Sequence, residues 1–123
     1  MKSFKNILIT GGTGTFGVAL VRRLLKSKDV ERIILFSRDE MKHWALMNEF
    51  KGDERLRHFV GDVRSVERLK RACYGVDLII HAAAMKIVPL AEYNPIECIR
   101  TNIDGAINVI DAALDCNVKK VSR

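Results

Sequence analysis

An apolar run from Ile7 to Ile9 empties into a glycine-rich turn, Thr10-Gly-Gly-Thr-Gly-Thr-Phe-Gly17. Read from Gly11 the spacing is G-x-x-G-x-x-G; read from Gly12 it is G-x-G-x-x-G, and both frames end on Gly14 and Gly17. The chemistry this pattern suits is phosphate binding. A buried strand ends, the chain turns tightly, and a helix begins whose free N–H groups and dipole face a pyrophosphate. Gly14 lets the backbone approach the phosphates, and Gly17 lets the helix pack close to the strand. The motif alone is weak, but here it follows a strand and precedes a helical stretch from Val18 to Lys26, the context it requires.

About twenty residues further on, Arg32 to Phe36 reads as a second buried strand that ends in Ser37-Arg38. A site for NAD usually places Asp or Glu there, to accept the ribose 2′-hydroxyl. This chain offers a hydroxyl at Ser37, a guanidinium at Arg38 and an ammonium one helical turn on at Lys42. Those groups suit a phosphate dianion, which favours NADP over NAD. Asp39 and Glu40 fit the N-terminus of the next helix better than the ribose.

Two further strand ends carry candidates. His58 to Val63 ends in Gly61-Asp62, where the carboxylate can accept the exocyclic amine of adenine beside a backbone group of Val63. It can equally serve as a helix N-cap or turn residue. Val76 to His81 runs into Ala82-Ala-Ala84, small enough for a ribose or nicotinamide to lie against the backbone. His81 at a buried strand end reads as structural. Lys86 is either a charge beside the cofactor or a solvated loop lysine. Thr101-Asn102 lies early in a long helix, where the amide can organise substrate or simply pack the helix against a strand.

The elements that must position these groups alternate throughout. Strands are expected near 6–10, 32–37, 57–61 and 76–81, and helices near 15–27, 39–50, 65–73 and 95–116. That alternation predicts right-handed βαβ units and a parallel sheet in one domain over residues 1–123. Val18, Val21, Leu24 and Leu25 line one face of the first helix, with Arg23 and Lys26 opposite. Trp44, Leu46, Met47 and Phe50 in the second suit core or a subunit contact.

Composition narrows the class. A chain of 123 residues with 48% hydrophobic and 29% charged residues is ordinary for a water-soluble domain. No apolar stretch reaches membrane-span length, and no leader precedes the first strand, so a cytoplasmic protein without a membrane partner is expected. Cys73, Cys98 and Cys116 are odd in number and lack metal-site spacing, so no metal and a reduced compartment are expected. The net charge of +6 is spread over several helices rather than one basic run with interleaved aromatics, which speaks against nucleic acid.

Taken together, the glycine turn, Ser37-Arg-Asp-Glu40, Gly61-Asp-Val-Arg64, His81-Ala-Ala-Ala-Met-Lys86, Val88-Pro89, Ala91-Glu-Tyr-Asn-Pro95 and Thr101-Asn102 resemble the extended short-chain dehydrogenase/reductase superfamily. More narrowly the chain resembles the N-terminal part of the inverting UDP-N-acetylglucosamine 4,6-dehydratases of pseudaminic acid and capsule polysaccharide synthesis. The resemblance covers nearly the whole chain. It implies a Rossmann-type doubly wound parallel sheet, truncated in the fifth strand, and a homo-oligomer. It also implies NADP contacts at Gly11, Thr13, Gly14, Thr15, Phe16 and Gly17, at Ser37, Arg38, Asp39, Glu40 and Lys42, and at Asp62, Val63, Ala82 and Lys86. Lys86, Thr101 and Asn102 would also meet the UDP-sugar.

Two departures stand out. Where the family commonly has Lys-His-Val-Pro, this chain has Lys86-Ile-Val-Pro89. The family's Ser-Thr-Asp-Lys and Tyr-x-x-x-Lys motifs, which serve C5 deprotonation and C4 oxidation, do not occur: Tyr74 is followed four residues on by Leu78, and Tyr93 by Glu97. The expectation is therefore a cofactor-binding portion without turnover of its own, prone to self-association and tightened by NADP. The alternative is a free-standing NADP-binding module.

Overall fold

The computed structural model describes residues 4–11, 13–82 and 95–122, with only the backbone described over 95–103. Five strands form one sheet: β1 (Asn6–Thr10), β2 (Arg32–Ser37), β3 (Leu56–Val60), β4 (Leu78–His81) and β5 (Lys120–Ser122). Its order is β3-β2-β1-β4-β5, and every pairing is parallel. Four helices connect them: α1 (Thr15–Leu24), α2 (Glu40–Glu49), α3 (Val66–Ala72) and α4 (Pro95–Asp115).

The near-continuous apolar strands follow from burial on both faces. Side chains alternate along a strand, so Leu8, Ile34, Phe36 and Ile79 enter one core with Leu69 and Ala72 of α3 and Val109 and Ala112 of α4. Ile7, Ile9, Ile33 and Leu35 enter the other, with Val21 of α1 and Leu46 of α2. Right-handed crossovers explain the division. The chain moves from β1 outward to β3 with its helices on one face, then returns past β1 to β4 with α3 and α4 on the other. This is the expected Rossmann-type arrangement, and its direction reverses between β1 and β4.

Boundaries shift for local reasons. Helix α1 closes at Leu24, because Lys26 and Ser27 donate to Arg23 and Leu24 three residues back, tightening the last turn. Strand β4 begins at Leu78 rather than Val76, since the Val76 amide turns back to the Cys73 carbonyl. On α1, Val21 is fully buried while Val18, Leu24 and Leu25 are partly so, packed on the same core. On α2 only Leu46 of the expected group is buried; Phe50 packs at the core edge, and Trp44 and Met47 face outward. No helix of the described residues is long and apolar enough to cross a membrane.

The edge of the sheet where the strands begin is tied by two charged residues. Asp77 Oδ2 accepts the amides of Lys5 and Asn6 at 3.2 and 3.0 Å, and Lys119 Nζ lies 3.9 Å from Oδ1. Burial pushes this carboxyl up, but the amides, the Asn6 side chain and the Lys119 charge outweigh it and hold it below the ordinary value. Arg55 spans the C-terminal end of α1, donating to the Leu25 and Ser27 carbonyls at 2.6 and 2.9 Å while Asp53 accepts from its guanidinium.

Two outcomes follow. Because the folded carboxyl titrates below 3.8, Asp77 stabilises the fold above that pH and ceases to do so as pH falls through its folded value. Asp77→Ala should cost about 1–2 kcal/mol near neutrality, and the gap to wild type should close toward pH 3 in urea melts. In the core beneath α3 and α4, a Cβ on Gly61 would fall 2.6 Å from the Phe36 ring. That ring is fully buried and cannot swing aside. Gly61→Ala should therefore destabilise by about 1–3 kcal/mol in the same melts.

Candidate functional site

The carboxyl ends of β1, β2, β3 and β4 carry the site. Strand β1 delivers Gly11 at φ 68°, a left-handed conformation that favours glycine, and its amide donates to the Phe36 carbonyl at 2.8 Å. The Gly14 amide turns back to the Gly11 carbonyl at 3.1 Å, and Gly14 is then the N-cap of α1. No side chain caps this helix, and no acidic residue stands in its first turn. The other two capped starts differ: Asp39 caps α2 through the Lys42 amide, and Ser65 caps α3 through the Arg68 amide. The α1 N-terminus thus retains the dipole and donors that suit an anion.

A Cβ on Gly14 would meet only the Gly11 carbonyl oxygen, at an ordinary 3.4 Å. The protein's own packing does not demand glycine there. Thr15 and Phe16 are exposed on the first turn, and Gly17 is buried. Thr13 is buried, and its Oγ1 lies 2.8 Å from Ser37 Oγ, joining the glycine turn to the end of β2. Ser37 Oγ also accepts the Asp39 amide at 3.3 Å.

Arg38 extends outward with 66% of its side chain exposed, and Nη1 stands 3.8 Å from Asp62 Oδ2. Asp62 is held chiefly by Arg64, whose Nε and Nη2 reach Oδ2 at 3.1 and 2.8 Å while its amide reaches Oδ1 at 2.9 Å. The Arg64 bond is the main reason the Asp62 carboxyl lies below its ordinary value. Burial opposes it, and the charges of Arg64 and Arg38 add to it. Of the two structural roles open to Asp62, the structure assigns the turn; the α3 N-cap is Ser65. Asp39 caps α2, Glu40 is exposed in its first turn, and the Lys42 side chain is exposed.

Val63 is partly buried against the α3–α4 core, and its carbonyl accepts Asn108 Nδ2 at 2.9 Å. Helix α4 comes so close that a Cβ on Gly105 would stand 3.0 Å from Val63 Cγ2. Ala82 is buried where the direction of the sheet reverses, its amide donating to the Thr10 carbonyl at 3.1 Å. Beside it His81 is buried, with Nδ1 2.6 Å from Thr10 Oγ1. Gly12, Lys86 and the side chains of Thr101 and Asn102 lie outside the described residues.

Three participants escaped the sequence reading. Arg64 had a signal, the Asp-x-Arg spacing that lets an Asp-centred turn fold the guanidinium back. Arg68, whose guanidinium lies 4.4 Å from the centre of the Phe59 ring, had none. Nor did His43, buried under the end of β2. Among the described residues no group of three His, Cys, Asp or Glu could hold a metal ion.

The chain is 55% identical over 116 residues to the inverting UDP-N-acetylglucosamine 4,6-dehydratase of Campylobacter jejuni, covering 94% of this chain and 34% of that protein. It is 45% identical over 120 residues to a UDP-glucose 4-epimerase of Rickettsia massiliae, covering 95% and 35%. The solved dTDP-glucose 4,6-dehydratase DesIV of Streptomyces venezuelae, with NAD and TYD bound, superposes with a TM-score of 0.79 at 28% identity, covering 94% and 38%. The chain thus spans about a third of the length of the curated relatives it matches. The family model described as polysaccharide biosynthesis protein matches residues 7–122, and with nearly every residue inside that match the chain belongs to this family.

Proposed function

We propose that this chain is the NADP-binding portion of a sugar-nucleotide 4,6-dehydratase acting on UDP-N-acetylglucosamine, with inversion at C5. The observation that carries the reading is the junction of Thr13 and Ser37 at 2.8 Å, which ties the glycine turn before the uncapped start of α1 to the end of β2, where Arg38 follows. One end of that junction suits a pyrophosphate and the other a 2′-phosphate. The identity to the inverting dehydratase supports the substrate.

Each residue has a task in this reading. Amides of Thr13 to Phe16 and the α1 dipole receive the pyrophosphate, with Gly11, Gly14 and Gly17 shaping the approach. Ser37 and Arg38 hold the 2′-phosphate, and Lys42 adds charge. Asp39 contributes through the helix it caps, its carboxylate engaged by the Lys42 amide, and Glu40 follows in the first turn of that helix. Asp62 steadies Arg38 and Arg64 around the adenine, and Val63 supplies backbone beside it. Ala82 leaves space for the nicotinamide ribose; by the family resemblance Lys86 would serve the cofactor and the UDP-sugar, and Thr101 and Asn102 the UDP-sugar. When bound, the dinucleotide would supply the hydride acceptor for oxidation at C4.

Residues 1–123 hold no Tyr-x-x-x-Lys, so the chain by itself binds without turnover. Outward-facing Trp44, Met47, Ile110 and Leu114 support self-association, and the free thiols of Cys73 and Cys116 suit a reduced cytoplasm. The relation to a UDP-glucose 4-epimerase favours a second reading, in which the same cofactor portion serves epimerisation.

Calorimetry on the chain should show NADP bound at least about tenfold tighter than NAD, with Arg38→Ala removing most of that preference and leaving NAD within about twofold. Equal affinities, or an unaltered preference in the variant, would sink the NADP reading. UDP-N-acetylglucosamine incubated with NADP and the chain should give no 4-keto-6-deoxy sugar, while the full-length protein should give it with C5 inverted. A 4-epimer from the full-length protein would establish the second reading instead.

A further inference from the structure

His43 is 2% exposed, and both of its ring nitrogens are engaged. Nε2 lies 2.9 Å from the Ser37 carbonyl oxygen and Nδ1 lies 2.9 Å from Nδ1 of His58, the two rings meeting edge to face. A carbonyl can only accept, so Nε2 of His43 carries the hydrogen. Neutral His43 then presents a lone pair at Nδ1, and His58 must donate its own Nδ1–H. Burial, and next the neighbouring His43, hold His58 below the ordinary imidazole range, which favours the neutral ring that this pattern uses as its Nδ1 donor.

The Ser37 carbonyl also accepts the Gly61 amide at 3.0 Å, so both of its lone pairs are used. That carbonyl and the Arg38 N–H belong to one planar peptide unit. Whatever pins the carbonyl therefore sets the direction in which Arg38 leaves the strand. Gly61 pins it from β3 and His43 from α2.

We propose that His43 is a positioning residue for recognition of the dinucleotide 2′-phosphate, with His58 fixing its tautomer. This rests on the NADP reading of the site. His43 touches no part of the cofactor; it orients the Ser37–Arg38 peptide that does. The pyrophosphate and nicotinamide ends are held by other strands, so the effect is confined to the phosphate that distinguishes NADP from NAD. Gln, whose amide N–H reaches about as far as Nε2, can replace the bond to Ser37; Leu cannot.

Affinities of the chain for NADP and NAD are compared for wild type, His43→Gln and His43→Leu. His43→Leu should weaken NADP by about tenfold, the scale of one lost buried hydrogen bond, and leave NAD within about twofold. His43→Gln should stay within about threefold of wild type for both. Equal losses for NADP and NAD in His43→Leu, or no rescue by His43→Gln, would overturn the proposal while wild-type preference for NADP keeps the site reading intact. A wild type without that preference would fail the site reading, and this proposal with it. Should His43→Leu not fold, nitrogen-15 spectra of wild type decide: His43 protonated at Nε2 and His58 at Nδ1 support the pinning, and the opposite tautomers exclude it.

Discussion

The site depends on a ladder that does not stop where the strands do. A parallel sheet buried on both faces must satisfy the amides and carbonyls at its carboxyl edge, since water cannot reach all of them. Here the pairing continues one residue past β1, β3 and β4: Gly11 to Phe36, Gly61 to Ser37, and Ala82 to Thr10. These bonds carry the register of β1, β2, β3 and β4 into the loops. They bring a helix start, a hydroxyl pair and a guanidinium to one rim. Without them the glycine turn would be a flexible loop above an ordinary sheet.

The two ends of the sheet divide the work. At the amino edge the anchors face inward: Asp77 gathers β1, β4 and β5, and Arg55 closes the end of α1 against the entry to β3. The polar groups of both residues are spent on the protein. At the carboxyl edge the reverse holds. Helix α1 is left without a side-chain cap, and Arg38 reaches outward. The groups best suited to an anion stand where the fold makes least use of them, as ligand sites in open α/β sheets do at a reversal of strand order.

Charge at that rim is arranged rather than accumulated. Asp62 lies between Arg64 and Arg38, bound closely to the first and loosely to the second. One carboxylate therefore offsets guanidinium repulsion without neutralising Arg38, whose contact at 3.8 Å is longer than a hydrogen bond. Asp39, the carboxylate nearest in sequence, is withdrawn into capping α2. The same rim shares backbone with the Phe36–Phe59 stack beneath it, so the close approach of Gly61 to Phe36 joins core packing to site geometry.

The sequence by itself determined the order of elements, the glycine turn and the residues at each strand end. Apolar runs, helical periodicity and turn residues act over a few positions, and that range is short enough to read along the chain. It also determined that Asp39 would serve its own helix, because an N-cap is a local contact. Only the tertiary structure decided which partners those residues take. Thr13 meets Ser37 across 24 positions and His43 meets His58 across 15, contacts that exist only once the β1, β2 and β3 register is set. Asp62 could have capped a helix; Ser65 took that place, and Arg64 took the carboxylate. Each such outcome is a competition for one donor or acceptor, settled by distances in the folded sheet rather than by residue type.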